Sequence, residues 1–518
     1  MESGGFDDVV DLVVALFDQL SEAHARALLE LKRALRARFG PKSEKISAEQ
    51  LELLAELVHE RAGAEPAEAA VSKAALEVDE AEPRDPEAPR KKRRARGTPR
   101  FPEDLPRETI QIPVAQAEQG CPTCGEPRAV IGYETQEILE YTPASFHVRE
   151  VRCEKRACSS CKKGVVSADA PPRVYERGSY GAGLIAQVLV SKFKDSLPLY
   201  RQRQIYQRHR VDLPRSTLGD LVARGTFALA PVAERIRQQV LASEIVQTDD
   251  TGLSVLDRDH PKHIKRGHLW PYVADALAYF AYTPTRRGAG PLAFLEDFAG
   301  YVQVDGYSGY RALFGAESPR IEVGCMAHAR RYFYEACESG DLLALEMLGH
   351  IRDLYRVEAR AREAELGPDA RQALRKDASV PILAEMEAWL EKHAPAVSPK
   401  SKLGEAIRYM HGRRESLRRY LDDGRLEIDN SKVERLIRLV AVGRKNFLFA
   451  GSDAGAERAA TAYTLIASAT LHEIDPWLYL KDLLERIAAG WPQRQIDALL
   501  PDRWRVDHPD ALRCNAPA

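Results

Sequence analysis

Apolar positions divide the chain into segments of different period. In residues 6–38, Val13, Phe17, Leu20, Ala27, Leu31 and Leu35 recur at three- and four-residue spacings until Gly40-Pro41 ends the run, which predicts a helix. At ~1.5 Å per residue such a helix is about 50 Å long, too long to stand alone on a surface. Two packings suit it: a coiled-coil arm for self-association, or a hairpin with the segment that Ser47 and Gln50 open as a capping box before Leu51, Leu54 and Leu57. Residues 60–89 show no apolar period and read as a disordered linker. Short alternating strands are expected around residues 137–151. Helices return between 180 and 230, one opened by Leu197-Pro-Leu-Tyr200 and running through Gln207. A second follows Leu213-Pro214, with an N-cap at Ser216-Thr217 before Leu218, Leu221 and Val222. Two short helices and a tight turn suit a helix-turn-helix reader of DNA, and equally a plain helical hairpin.

After Glu244 the pattern changes to strands. Residues 245–256 read as one strand, 269–274 and 279–283 as the next two, 291–298 as a helix, 301–305 as a fourth strand and 321–323 as a fifth. Asp249 falls inside the first strand and Asp305 ends the fourth. Three strands, a helix and another strand, with carboxylates on the first and fourth, is the order of a ribonuclease H-like sheet. Residues 326–423 are mostly helical, with Leu342-Leu-Ala-Leu345, Ile351, Leu354, Ile382 and Trp389 as core markers, and read as a helical insertion in that core. A further helix begins at a cap on Asp429 or Asn430. Val433, Leu436, Ile437 and Val440 give it an apolar stripe, and Asn430, Glu434 and Arg438 share one flank at i, i+4 spacing. The weakly polar run 459–471 is 13 residues long, too short to span a bilayer, and reads as a buried core helix.

A length of 518 residues with 44% hydrophobic composition predicts three or four folding units. The formal net charge of −2 at first argues against a nucleic-acid partner. Read by segment, it is a sum of opposed blocks. Residues 60–89 hold nine acids against three bases, whereas 90–100 hold seven positive charges, among them Lys91, Lys92, Arg93 and Arg94, and no negative ones. Such a block can contact phosphates or enter a minor groove beside Gly97; its alternative is neutralisation by the acidic linker. Residues 190–224 carry eight bases against three acids, and 401–449 twelve against seven. Arg201, Arg203 and Arg215 in the first, and Arg438, Arg444 and Lys445 in the second, are candidate DNA contacts, with Arg413, Arg414, Arg418, Arg419 and Arg435 as further phosphate candidates. Residues 1–11 are acidic and lack the charged-then-apolar pattern of a secretory signal, so a soluble cytoplasmic protein without membrane partners is expected.

The eight cysteines are too few for a disulfide scaffold in a chain this long. Cys121-Pro-Thr-Cys124 and Cys158-Ser-Ser-Cys161 are knuckles that each present two sulfurs to one ion, and predict a single structural Zn²⁺ bound by Cys121, Cys124, Cys158 and Cys161. The 33 residues between the knuckles can hold a small sheet, and Cys153 is a fifth candidate able to replace one ligand. Unpaired carboxylates at strand edges call for a cation. Asp249 and Asp305 with Glu434 as the third acid could hold two hard cations, Mg²⁺ or Mn²⁺. Cys325 and His328, three apart where a strand becomes a helix, suit a packed thiol with a hydrogen-bonded imidazole that supports this core better than a two-residue metal site.

Longer motifs join these features. Thr248-Asp-Asp-Thr251, Val304-Asp-Gly-Tyr-Ser-Gly-Tyr310, Gly324-Cys-Met-Ala-His-Ala-Arg-Arg331, Ile428-Asp-Asn-Ser-Lys-Val-Glu-Arg435 and residues 443–458 resemble the core of the insertion-sequence-66 family of DDE transposases. The likeness extends to Phe39-Gly-Pro-Lys-Ser-Glu-Lys45, Leu105-Pro-Arg-Glu108 and Ile474-Asp-Pro-Trp-Leu-Tyr-Leu480, and so covers essentially the whole chain. One departure is Asp250, where the family more often has Glu; it stands beside Asp249 and competes with it as a ligand, though strand register favours Asp249. The resemblance implies a multidomain α+β chain. It would comprise a helical arm (1–61), an acidic linker and basic tail (62–100), a zinc module (101–170), a helix-turn-helix-like DNA-binding region (171–240), a ribonuclease H-like core (241–325 and 424–455), its insertion (326–423) and a C-terminal helical region (456–518). It implies metal-dependent cleavage and strand transfer of double-stranded DNA at the element's terminal inverted repeats and at target DNA, homo-oligomers, and small accessory proteins as partners. The competing readings are a structure-selective nuclease on the same sheet and an inactive zinc-containing DNA-binding regulator.

Overall fold

The computed structural model of the protein describes residues 101, 105–142, 145–160 and 164–511. The predicted helical arm, the acidic linker, the basic block with Lys91, Lys92, Arg93 and Arg94, and Cys161 lie outside the described residues.

The first sheet is built on β1 (Arg107–Ile112), β2 (Arg128–Thr142), β3 (Ser145–Cys158) and β4 (Val166–Ser167). Where the sequence predicts short strands, β2 and β3 are 15 and 14 residues long and pair antiparallel from Thr142↔Ser145 to Arg128↔Cys158. Alternation on β3 buries Phe146 and Val148, which join Leu139 of β2 in the core. A long hairpin therefore returns the end of β3 to the start of β2.

Helices α1 (Ala182–Phe193), α2 (Leu199–Arg208) and α3 (Arg215–Leu241) follow. The second predicted helix differs from expectation at its start. Pro214, with φ −53° and ψ 149°, occupies the N-cap, so Ser216 and Thr217 lie in the first turn rather than at the cap. α3 runs 27 residues, and Val232, Ile236 and Val240 in its second half are buried. That half packs under the second sheet, so α3 is a core helix as well as the third member of a helical trio.

The second sheet contains β5 (Ile245–Thr248), β6 (Thr251–Leu256), β7 (Ile264–Ala274), β8 (Leu277–Thr283), β9 (Gly300–Gln303) and β10 (Arg320–Val323). Across the sheet the order is β8, β7, β5, β9, β10. β7 runs antiparallel to β5 and β8, while β9 and β10 run parallel to β5. A short α4 (Ala289–Phe294) precedes β9. Between β10 and α10 (Ser431–Gly443) come α5 (Met326–Glu338), α6 (Ala344–Glu363), α7 (Pro368–His393), α8 (Lys402–Gly412) and α9 (Arg414–Arg418). The chain closes with α11 (Asp453–Leu471), α12 (Pro476–Ala488) and α13 (Pro501–Asp507).

α11 holds the weakly polar run expected to be buried, and its hydroxyls explain that composition. Thr464 Oγ1 accepts from Phe280 N at 2.9 Å and Ser468 Oγ from Ala278 N at 3.0 Å, satisfying the edge of β8. No helix among the described residues is long and apolar enough to cross a membrane.

Candidate active site and metal centre

β5 and β6 are one strand in register on β7, with Thr248↔Tyr272 and Thr251↔Leu269. The ladder opens only at Asp249 and Asp250. The cause is Pro271, which stands opposite Asp249 and has no N–H to give. On the far side of β7, Phe280 sends its N–H to Thr464, so the Pro271–Phe280 pair exchanges no ladder bonds and Pro271 faces β5 with its bonding edge. A proline in a central strand thus frees the backbone where an acid is displayed.

The two adjacent acids part company there. Asp250 is gripped by the Arg286 guanidinium, whose Nη2 donates at 2.7 Å, and by His268 Nδ1 at 2.6 Å. Burial pulls the Asp250 carboxyl upward, but these two partners hold it below the usual aspartate range. Arg286 in turn stacks 4.0 Å over the ring of Tyr307, just past Asp305. Among the described residues, the hydrogen bond recorded on the Asp249 carboxylate comes from the Asp250 N–H, at 2.7 Å. Burial and the neighbouring Asp305 charge push Asp249 up to about 7.

Asp305 lies two residues beyond β9 and not in the strand itself. Its Oδ1 accepts from Tyr307 N at 2.8 Å, and its carbonyl accepts from Tyr409 of α8 at 2.7 Å. Arg413 donates to the Gly306 carbonyl at 2.7 Å and pairs with Glu322. Gly306 has φ +92°, and a Cβ there would strike the Arg413 guanidinium. Arg413, a phosphate candidate by sequence, is therefore committed to the turn that carries Asp305.

Glu434 sits in the first turn of α10, docked by buried Val433, Leu436 and Val440. Asn430 holds the N-cap position without a side-chain cap bond, while Asp429 Oδ1 accepts from Ser431 N at 2.9 Å. Burial pushes the Glu434 carboxyl above its usual range, with Arg331 opposing at 3.4 Å. One donor atom each from Asp249, His328 and Glu434 lies within 4.8 Å of the others. Asp305 is outside that tight group, although its charge acts on Asp249. Cys325 is fully buried, and burial pushes its thiol up to about 12. Its Sγ donates to Asn430 Oδ1 at 3.0 Å and meets His328 Nδ1 at 3.2 Å. The expected packed pair is present, and His328 is in addition part of the acidic cluster.

A second cluster lies at the open end of the β2–β3 hairpin. One sulfur each from Cys121, Cys124 and Cys158 lies within 4.8 Å of the others. Gly125, at φ +74°, lets the first knuckle turn so that its N–H reaches the Cys121 carbonyl at 2.9 Å. Arg128↔Cys158 pairing brings the second knuckle to the first across the intervening chain. Cys153 points elsewhere, its Sγ 3.9 Å from the Asp169 carbonyl, and is not in the group.

Comparison with known proteins places these sites in context. Residues 177–458 match the family model described as "Transposase IS66 family", and 464–501 match "IS66 C-terminal element". Residues 118–162 match "zinc-finger binding domain of transposase IS66", and 27–110 match "Transposase C of IS166 homeodomain". The chain belongs to the IS66 transposase family. Among its relatives is "Uncharacterized protein y4qI" of Sinorhizobium fredii (strain NBRC 101917 / NGR234), 38% identical over 412 residues, 76% of this chain and 75% of that one. "Uncharacterized protein y4hP" of the same strain is 34% identical over 432 residues, covering 78% and 76%.

As an IS66-family chain, it carries DNA-binding and zinc-finger domains. These sulfurs are three of the four donors that a structural zinc takes, and Cys161 lies outside the described residues. Metal analysis of purified protein is expected to find about one zinc per chain, lost in Cys158→Ser and kept in Cys153→Ser. Loss in both variants would return Cys153 to the ligand set.

The basic candidates divide. Arg203 is bound by Asp212 through two bonds of 2.7 and 3.1 Å, and Arg444 donates to the Gly252 carbonyl. Arg201 reaches Asn446 at 3.4 Å, linking α2 to the loop after α10. Arg215, Arg438 and Lys445 are exposed. Sequence reasoning missed Gln247 and Gln303, each two residues before a candidate acid. Gln247 Nε2 donates to Gln303 Oε1 at 2.7 Å, and Gln303 Nε2 to the carbonyls of Gly324 and Glu427 at 3.0 and 2.8 Å. This buried pair ties β5 to β9 and to the approach of α10. A polar residue at i−2 of each acid in an otherwise apolar strand was the available signal.

Proposed function

We propose that this IS66-family protein cuts and joins DNA at the ends of an insertion element by metal-assisted phosphoryl transfer, on a ribonuclease H-like core spanning 241–325 and 424–455. The observation that carries the reading is the convergence of Asp249 and Glu434 from distant parts of the chain, with the Asp305 charge near enough to push the Asp249 carboxyl upward. The strand order β8, β7, β5, β9, β10, with β7 antiparallel and the others following β5, supports a ribonuclease H-like sheet.

The residues fit hard divalent cations: three carboxylates offer oxygen, and two of them are pushed toward protonation when left without a counter-charge. Asp249, Asp305 and Glu434 would hold two Mg²⁺ or Mn²⁺. Bound there, the ions would supply Lewis-acid activation of the attacking and leaving oxygens of the scissile phosphate. Asp250, fixed by Arg286 and His268, keeps the guanidinium from pairing with Asp249 and braces Tyr307 over the Asp305 turn. Gln247 and Gln303 hold the two acid-bearing strands in register. Tyr409 and Arg413 from the 326–423 insertion steady Asp305.

For DNA, the 171–240 region, α10 and the loop after it would supply phosphate contacts through Arg201, Arg215, Arg438 and Lys445. Residues 1–61 would mediate self-association, since two ends must be handled together; accessory proteins would join this assembly.

The test uses purified full-length protein, Mg²⁺ and a labelled terminal inverted repeat against a scrambled end. Joining restricted to the true end supports the reading. Cutting without end preference would make the protein a structure-selective nuclease, and binding alone a regulator. In the same assay, Asp250→Asn is expected to cost roughly tenfold at most, since it weakens a charge-assisted pair rather than a ligand. A complete loss in that variant would move the ligand role to Asp250.

A further inference from the structure

We propose that His328 is a nitrogen ligand of the catalytic metal site, giving one ion position a mixed donor set of Asp249, His328 and Glu434. The inference rests on the catalytic reading above and adds a ligand and a metal preference to it. Three side chains from separate elements, the loop after β5, α5 and α10, bring donor atoms within 4.8 Å of one another. The imidazole is largely enclosed, with 11% of its side chain exposed, and its Nδ1 lies 3.7 Å from Glu434 Oε1.

The ring is also held before any ion arrives. Cys325 at the N-cap of α5 meets His328 Nδ1 at 3.2 Å and donates to Asn430 at the N-cap of α10 at 3.0 Å. Asn430 N lies 3.5 Å from the same sulfur. One buried thiol therefore fixes both the imidazole and the start of the helix that carries Glu434. A ligating histidine is oriented through its other ring nitrogen, so with Nδ1 turned to the Cys325 sulfur it is Nε2 that is left to the ion. Asp305 stands apart, its Oδ1 engaged by Tyr307 N, so the two ion positions differ in chemistry: one is nitrogen and oxygen, the other oxygen alone. Imidazole favours first-row transition ions, whereas carboxylates alone suit Mg²⁺. The mixed position would then prefer Mn²⁺ to Mg²⁺.

The experiment is three-pulse electron spin-echo spectroscopy on full-length, zinc-replete protein loaded with Mn²⁺, with Mn²⁺ and Mg²⁺ affinities from calorimetry. Wild-type protein is expected to show imidazole nitrogen modulation, and His328→Gln to lose it. The same substitution should weaken Mn²⁺ roughly tenfold or more while moving Mg²⁺ by only about threefold. Asp249→Asn should abolish the modulation as well, locating the nitrogen at this site. Absence of nitrogen modulation in wild-type protein, or its persistence in His328→Gln, overturns the inference, and the wild-type spectrum decides even if the variant does not fold. Failure of the two readings is separable. End joining that depends on Asp305, with no nitrogen signal, leaves catalysis standing and removes His328; a nitrogen signal without joining does the reverse.

Discussion

Asp249→Asn is expected to lower strand transfer by about a thousandfold or more while leaving binding of end DNA in EDTA unchanged. The amide has the shape of the carboxylate and can still accept from Asp250 N, so geometry survives and only the charge goes. That charge is what a cation would need, and what the folded protein otherwise tolerates poorly. Burial and Asp305 raise the Asp249 carboxyl from its ordinary 3.8 to about 7, so the folded chain holds a proton there that the unfolded chain has released. Stability therefore falls as pH rises through that window and levels above it. The Asn variant escapes this loss, and its melting temperature in EDTA should exceed that of wild type by a margin that grows from pH 4 to 7 and then stays constant. Adding Mn²⁺ should raise the wild-type melting temperature and move the variant little. Strand transfer by the variant within tenfold of wild type would remove Asp249 from the site.

Which parts of this arrangement can be read from the sequence depends on whether a feature is local. The zinc knuckle is local: two Cys-x-x-Cys turns and a glycine at φ +74° announce it, although the length of the β2–β3 hairpin that closes it was underestimated. Family membership follows from long ordered motifs. The buried character of 459–471 is plain from composition, but the partners of Thr464 and Ser468 on β8 are not, because they lie more than a hundred residues away in the chain. Strand register favours Asp249 over Asp250 as the ligand but does not show what Asp250 does instead. That distinction comes from Pro271 across the ladder and from Arg286 beyond β8, neither of which has a fixed sequence offset from the acids. Arg413 and Arg203 looked like phosphate contacts because charge is visible in a sequence and ion pairing is not. The sequence shows His328 as a supporting residue, since its spacing to Cys325 is local, whereas its approach to Glu434 depends on how α5 meets α10.

The largest effect on stability is expected from Arg375→Met, a loss of about 3 kcal/mol in urea unfolding, because it leaves a buried carboxylate with Arg371 alone to compensate it and frees the carbonyls that Arg375 collects. Arg375 is 0% exposed on α7, and its guanidinium grips Glu358 of α6 through bonds of 2.7 and 2.8 Å. Its remaining N–H groups go to the carbonyls of Tyr420 and Leu426 at 2.7 and 2.8 Å and of Asp423 at 3.2 Å. Arg371 adds bonds of 3.1 and 2.7 Å to Glu358 and of 3.3 and 2.7 Å to Glu427. Burial works against the Glu358 anion, yet the two arginines more than offset it and hold its carboxyl below the usual glutamate range. The pair's contribution is thus complete above that range and is lost as pH falls through the lowered folded value. The double change Arg375→Met with Glu358→Leu should recover most of the stability, since two apolar groups leave no uncompensated charge. Strand transfer should not recover with it. The carbonyls that Arg375 collects belong to the segment leading into α10, so both variants loosen the approach of Glu434 to Asp249. Full activity in the stable double variant would show that α10 keeps its place without this anchor, held there by Gln303 on the Glu427 carbonyl and by the apolar stripe of the helix alone.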